Sequence, residues 1–250
     1  RVTVNPDGTV LIHAGCMSTG QGLQTMFSEM VARGLGIAIE DIRFSQGDTD
    51  DLPGGRGSGG SAATPTGGSS VTLAVRAVIE KGTEIASEML EAAAADIEFK
   101  EGAFRVAGTD RSVSLAEVAA SQDAGLAGQS MFTPSKVTFP NGCHVCEVEI
   151  DPETGSVEVC RYTVVEDVGR VMNLTMLTGQ MHGGIAQGAG QSLLERLVFD
   201  GDGQPRSGTF MDYAMPRADD MCAIEVVSAP TPSPTNPLGI KGAGEAGCVG

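Results

Sequence analysis

Apolar and polar positions alternate from the first residues of the chain. In "VTVNPDGTVLIHAG", Val2 and Val4 alternate with polar neighbours and Asn5-Pro6-Asp7-Gly8 supplies a turn. Val10 and Ile12 then resume the alternation, so a β-hairpin is predicted. The period then changes. Leu23, Met26, Phe27, Met30, Val31 and Leu35 recur at helical spacing and predict an amphipathic helix entered through Gly20-Gln21-Gly22. "DIRFSQGDT" reads as a short strand. "DDLPGGRGSGGSAATPTGG" is too rich in Gly and Pro for long regular structure. A second helix is predicted from about Val71 to about Ala94, then a hairpin-like pair in "IEFKEGAFRV". Ser114-Leu-Ala-Glu117 is a capping box opening a short helix.

A second half starts near Val137. "HVCEVEIDPETGSVEVCRYTVVEDVG" reads as a long hairpin turning at Asp151-Pro152-Glu153-Thr154-Gly155, followed by a helix from about Leu174 to Leu197. That helix carries Gly179, Gly183, Gly184, Gly188 and Gly190. Each interior Gly costs a helix about 1 kcal/mol against Ala, so close approach by another backbone or a ligand is expected there. A strand in "CAIEVVSA" leads to a Pro-rich run and then to "GIKGAGEAG". Hairpins and helices mixed in both halves predict an α+β fold instead of a regular parallel βαβ series. The division expected is 1–136 and 137–250.

Composition narrows the function. A net charge of −16 argues against nucleic acid and against anionic membrane surfaces. No apolar run is long enough for a membrane span. Gly is abundant at 35 residues and Trp is absent, which points to close backbone contacts or a bulky ligand against main chain. The six cysteines read as reduced core thiols. Cys143 and Cys146 lie on a strand at odd spacing, which sends their sulfurs to opposite faces. With only His13, His144 and His182, an all-protein metal site is hard to assemble. The first residues begin inside a strand pattern, without Met or a signal peptide's apolar core, so a piece of a larger cytoplasmic polypeptide is expected.

Three stretches could carry chemistry. "GRGSGG" matches G-x-G-x-x-G at Gly55, Gly57 and Gly60, but acidic residues and Pro53 precede it and Glu80 lies within a helix, against a dinucleotide site. What remains is a Gly-rich loop with Ser58, Ser61 and Thr64 before a helix, suited to an anion or open as a plain surface loop. Gln21, Gln180 and Gln187 beside flexible backbone could hydrogen-bond a flat polar heterocycle. Glu245 stands among glycines with space beside it, as a general base requires. An exposed loop Glu has the same look.

"GQGLQT", "GSGGSAATPTGG", "FPNGCHVCEVEIDPETG", "VVEDVGRVMN", "GQMHGGIAQGAGQSLLE" and "NPLGIKGAGEAG" occur in this order. Together they resemble the C-terminal portion of the molybdenum-binding subunit of the xanthine oxidase family, in its bacterial aerobic carbon monoxide dehydrogenase and aldehyde dehydrogenase form. The resemblance covers essentially the whole chain. It implies an α+β molybdenum-cofactor-binding domain with two related lobes and a molybdenum–molybdopterin cofactor in the cytosine dinucleotide form. It implies that Glu245 is the base, taking a proton from the hydroxyl that attacks an electron-poor carbon. Gln21 with Gly22 would contact the pterin, Gly60, Ser61 and Thr64 would cradle the pterin and its phosphate, and Gln180 would be a further cofactor contact. Many relatives carry Arg-Ser where this chain has Ala62-Ala63, so phosphate contacts there would differ. Iron–sulfur and FAD partner subunits and a small-molecule substrate are implied, and a homo-oligomer stays open. The other half of the active site would lie upstream, so this piece alone is expected to hold no cofactor. The alternative is a scaffold or subunit-interface domain that keeps the fold without chemistry.

Overall fold

A computed structural model describes residues 1–250 apart from 53, 56 and 250, and so leaves out Pro53 and Arg56 of the Gly-rich stretch. The architecture is α+β. The chain divides into two compact units, residues 1–137 with 234–238, and residues 138–233 with 239–250.

In the first unit the predicted hairpin forms from β1 (Val2–Val4) and β2 (Val10–Ala14). α1 (Leu23–Leu35) follows and returns the chain to β3 (Ile42–Gln46), which pairs with β2 in parallel. α2 (Ser69–Met89) is entered through a π-helical turn, Ala63–Gly68. β4 (Ile97–Lys100), β5 (Ala103–Val106) and β6 (Ser112–Ser114) make a small antiparallel sheet. α3 (Leu115–Ala120) begins at the Ser114–Glu117 capping box, and β7 (Leu126–Gly128) completes a main sheet of order β3-β2-β1-β7. Alternate residues of β1 and β2 (Val2, Val4, Val10, Ile12) meet Leu23, Phe27, Val31 and Leu35 of α1 and Val71, Val75 and Val78 of α2 in one core. Helix and strand approach to backbone contact where Gly128 faces Ala74, since a Cβ there would lie 2.2 Å from the Ala74 carbonyl.

The second unit repeats the opening succession. β8 (Asn141–Ile150) and β9 (Val157–Asp167) form the long hairpin, α4 (Leu174–Leu193) follows, and β10 (Ile224–Ser228) pairs with β9 in parallel, giving the order β10-β9-β8. Hairpin, helix and outer parallel strand therefore occur in both units. Tyr162 and Val164 of β9 pack on Ile185 of α4. No described helix is long and apolar enough to cross a membrane.

Three expectations need correction. α2 stops at Met89, short of Ala94. The Ala-rich continuation has helical propensity, but Glu91 takes a left-handed φ of 46° and Arg111 donates to the Leu90 carbonyl, which closes the helix end. α4 stops at Leu193, short of Leu197, because both Leu194 and Glu195 amides turn back to the Gly190 carbonyl and Glu195 accepts from Tyr213 Oη at 2.6 Å. The cysteines are free thiols, but only Cys16 is fully buried, with Cys222 half-buried against the second core; Cys143, Cys146 and Cys160 are exposed. Cys143 pairs with Val165 and Cys146 with Tyr162 across the hairpin, and the odd spacing puts them on opposite faces as predicted.

Candidate functional site

Parallel strands place their C-terminal ends together, and the loops leaving those ends are where open α/β sheets bind ligands. Each unit has one such pair of loops, and in each the two loops are tied to one another by a side chain.

In the first unit these are the β2–α1 turn and the Gly-rich loop beyond β3. Gln21 is half-buried. Its Nε2 donates to the Met17 carbonyl at 3.1 Å and to Ser58 Oγ at 3.2 Å, and its Oε1 accepts from the amide and hydroxyl of Thr19. Ser58 in turn donates to the Met17 carbonyl. A second tie is backbone against backbone, because a Cβ on Gly55 would lie 2.3 Å from the Gly15 carbonyl. Only glycines allow that approach. The stretch is therefore fastened to the end of β2. Gly22 caps α1 in a left-handed conformation at φ 77°. Gly60 and Ser61 are also left-handed, at φ 58° and 52°, and Thr64 is half-buried in the π-helical turn. A Cβ at Gly57, Gly59 or Gly60 would meet nothing within 4 Å. The unit holds a cavity of about 400 Å³ lined by Ala14, Gly15, Gly55, Gly57, Thr66 and Ser130, among others.

In the second unit the loops are the β9–α4 turn and the segment beyond β10. Asp167, the last residue of β9, accepts from Lys241 Nζ at 2.6 Å and from the amides of Thr231 and Gly169, each at 2.9 Å. Partial burial pushes its carboxyl up. The Lys241 ammonium and the two amides outweigh this and hold the group well below the ordinary carboxylate range. Gly169 and Ile240 form a β-bridge, and Lys241 N donates to the Val168 carbonyl at 2.8 Å. Glu245 lies farther along this segment, exposed, at the start of a single 3₁₀ turn, Ala246–Cys248. Behind it Gly247 is pressed onto α4, where a Cβ would lie 2.7 Å from the Met181 carbonyl. Gln180 is half-buried on α4 and Gln187 is exposed.

Of the glutamines and loop residues singled out from sequence, Gln21 joins the Gly-rich loop through Ser58, while Gln180 and Glu245 share the second unit. Glu245's Lys neighbour is engaged by Asp167, a residue that sequence reasoning passed over. The signal was present in "VVED". Strand alternation must send adjacent acids to opposite faces, and Glu166 is buried against His144 Nε2 at 3.0 Å while Asp167 turns to Lys241. The helix glycines divide as well. Gly184, Gly188 and Gly190 meet other parts of the chain, whereas a Cβ on Gly179 or Gly183 would meet nothing within 4 Å.

Comparison with known proteins gives a consistent result. A family profile described as "Molybdopterin cofactor-binding domain" matches residues 1–222. The gamma subunit of the 6-hydroxypseudooxynicotine dehydrogenase complex of Paenarthrobacter nicotinovorans is 38% identical over 99% of this chain and 33% of its own length. The carbon monoxide dehydrogenase large chain of Hydrogenophaga pseudoflava is 33% identical over 100% of this chain and 32% of its own. Among solved structures, carbon monoxide dehydrogenase from Oligotropha carboxidovorans superposes with a TM-score of 0.91 at 32% identity, covering 100% of this chain and 32% of that one. Quinoline 2-oxidoreductase from Pseudomonas putida 86 gives 0.88 at 35% identity, over 99% and 33%. The chain thus spans about a third of the length of the relatives it matches.

Proposed function

The chain belongs to the molybdopterin cofactor-binding domain family, and from that premise we propose that it is part of the catalytic subunit of a molybdenum hydroxylase. The reaction converts an electron-poor C–H, of an aldehyde or N-heterocycle, to C–OH, or carbon monoxide to carbon dioxide. Water supplies the oxygen, and two protons and two electrons leave. The observation that carries the reading is the placement of Glu245, exposed on a loop of small residues that is fixed on both sides.

The chain's geometry fits the cofactor. Open space at Gly57, Gly59 and Gly60 gives main chain a large ligand could lie against, and in the second unit Gly179 and Gly183 leave open space beside Gln180. When bound, the molybdenum cofactor, in its cytosine dinucleotide form, supplies the oxygen-transfer and two-electron chemistry. The Glu245 carboxylate accepts the proton of the attacking hydroxyl. Gln21, Gly22, Gly60, Ser61 and Thr64 hold the pterin and its phosphate, and Gln180 makes a further contact. Electrons leave to iron–sulfur and FAD partners in the cytoplasm.

The cradle is tested by Gln21→Ala and Ser61→Gly in the complete enzyme. Ser61 already has a left-handed φ, so Gly there removes the hydroxyl and relieves backbone strain. A lost hydrogen bond to a charged group costs about 1.5–3 kcal/mol, or about 10- to 100-fold in affinity. Metal analysis is expected to find reduced molybdenum in both variants; full occupancy in both would place the cofactor elsewhere. The 250-residue chain by itself supplies only some walls of the site. Part of a site does not overcome an association cost of about 4–15 kcal/mol. Purified alone, it is expected to contain no molybdenum and to give no dye-linked oxidation. Stoichiometric metal with turnover would make it a complete catalytic unit.

A further inference from the structure

Asp167 is nearly enclosed, its side chain 17% exposed, and it ties the end of β9 to two positions 64 and 74 residues further along the chain. It ends β9, and it holds the Thr231 amide of the Pro-rich run, the Gly169 amide ahead of α4 and the Lys241 ammonium of the "GIKGAGEAG" loop. The Arg170 amide adds a bond to the Gly239 carbonyl at 2.8 Å. These contacts fix the leading end of the loop. The trailing end is fixed by Gly247 against α4, and Ala243 and Ala246 pack with Val168, Leu177 and Met181. Glu245 lies between the two anchors, separated from Lys241 in sequence by Gly242, Ala243 and Gly244. Within that run the Gly242 amide donates to Thr138 Oγ1 at 3.4 Å and Ala243 packs on the core, so the loop continues from the Lys241 anchor along a supported path.

We propose that Asp167 is a positioning residue for Glu245, acting through the Lys241 ammonium to set where the loop that carries the carboxylate begins. The proposal rests on the reading of Glu245 as the base. The first unit shows the same device in neutral form, since Gln21 ties the pre-helix turn to the post-strand loop through Ser58. In the second unit a charge-assisted bond does the tying, and such bonds are shorter and about twice as strong as neutral ones. An ion pair that merely supported the sheet would need no partner on this loop.

The test is a double-mutant cycle in the complete enzyme. In Asp167→Asn the side-chain oxygen can still accept from the Thr231 and Gly169 amides, while the atom facing Lys241 becomes an amide NH2 that cannot accept, so the bond to the ammonium is the one removed. Lys241→Met removes the other partner. Hydrogen exchange of residues 239–248 is the first readout, and it does not depend on activity. Each variant should lose at least about tenfold in protection over that segment, and the double variant no more than either, because all three break one bond. Protection of β8 and β9 should hold. Turnover should fall about 10- to 100-fold with KM changed less than about threefold, as expected when a reacting group is misplaced by a fraction of an ångström to an ångström. Unchanged loop protection, additive losses, or loss spread through β8 and β9 would overturn the proposal. Loop protection lost with kcat intact would overturn the positioning role when Glu245→Gln is inactive. If Glu245→Gln also turns over normally, it is the base assignment that has failed.

Discussion

Glu245→Gln in the complete enzyme is expected to lower turnover at least about 100-fold, the usual loss when a general base is removed. The substitution keeps size and shape. Glu245 is exposed, and Gln at this surface position keeps a hydrogen-bonding side chain of the same length. Stability should therefore stay within about 0.5 kcal/mol of the parent. Molybdenum content should be unchanged, because the loop's anchors are Lys241 and Gly247, neither of which is altered. KM should move little, since a proton acceptor acts mainly in the transition state. Full molybdenum with a hundredfold lower kcat is the signature expected. Near-parental turnover at full molybdenum would remove Glu245 from the chemistry.

Local patterns carried most of the fold. The hairpin of β1 and β2, α1, β3, the Ser114 cap and the long hairpin of β8 and β9 were all legible, because each depends on residues a few positions apart. The two helix ends failed for a shared reason. Past Met89 and Leu193 the local sequence still favours helix, and distant groups end it: Arg111 on the Leu90 carbonyl, Tyr213 on Glu195. The site divides in the same way. Gln21 and Glu245 stand out within short motifs, but what fixes their loops does not. Asp167 and Lys241 are 74 residues apart, and Gln21 and Ser58 are 37 apart. Periodicity cannot join such pairs. The parallel strands do so, by bringing two separate loops to the same end of a sheet.

The glycines of α4 differ in their surroundings, and Gly179 and Gly184 should answer substitution with opposite signs. At Gly179 a Cβ would enter open space. In the 250-residue chain, Gly179→Ala should gain close to the full helix-propensity difference of about 1 kcal/mol. At Gly184 a Cβ would lie 2.8 Å from Gly247 Cα and 3.1 Å from the Cys248 amide nitrogen. Both are backbone atoms, so no flexible side chain can yield, and overpacking of this kind costs about 1–3 kcal/mol. Two rigid contacts place Gly184→Ala toward the upper end, where the cost exceeds the propensity gain, and net destabilisation is expected. The loop can relieve the clash only by moving off α4, which displaces Glu245. Turnover of the complete enzyme should then fall by about 100-fold, as for a misplacement of an ångström. Gly179→Ala should do the reverse in the two settings. It stabilises the chain alone, but in the complete enzyme the added methyl occupies space assigned to the cofactor beside Gln180, and molybdenum content should drop. Thermal unfolding of the isolated chain and metal analysis of the complete enzyme separate the cases. A Gly179→Ala variant with full molybdenum would mean that the open side of α4 faces something other than the cofactor, and a Gly184→Ala variant more stable than its parent would mean that the loop does not rest on this helix.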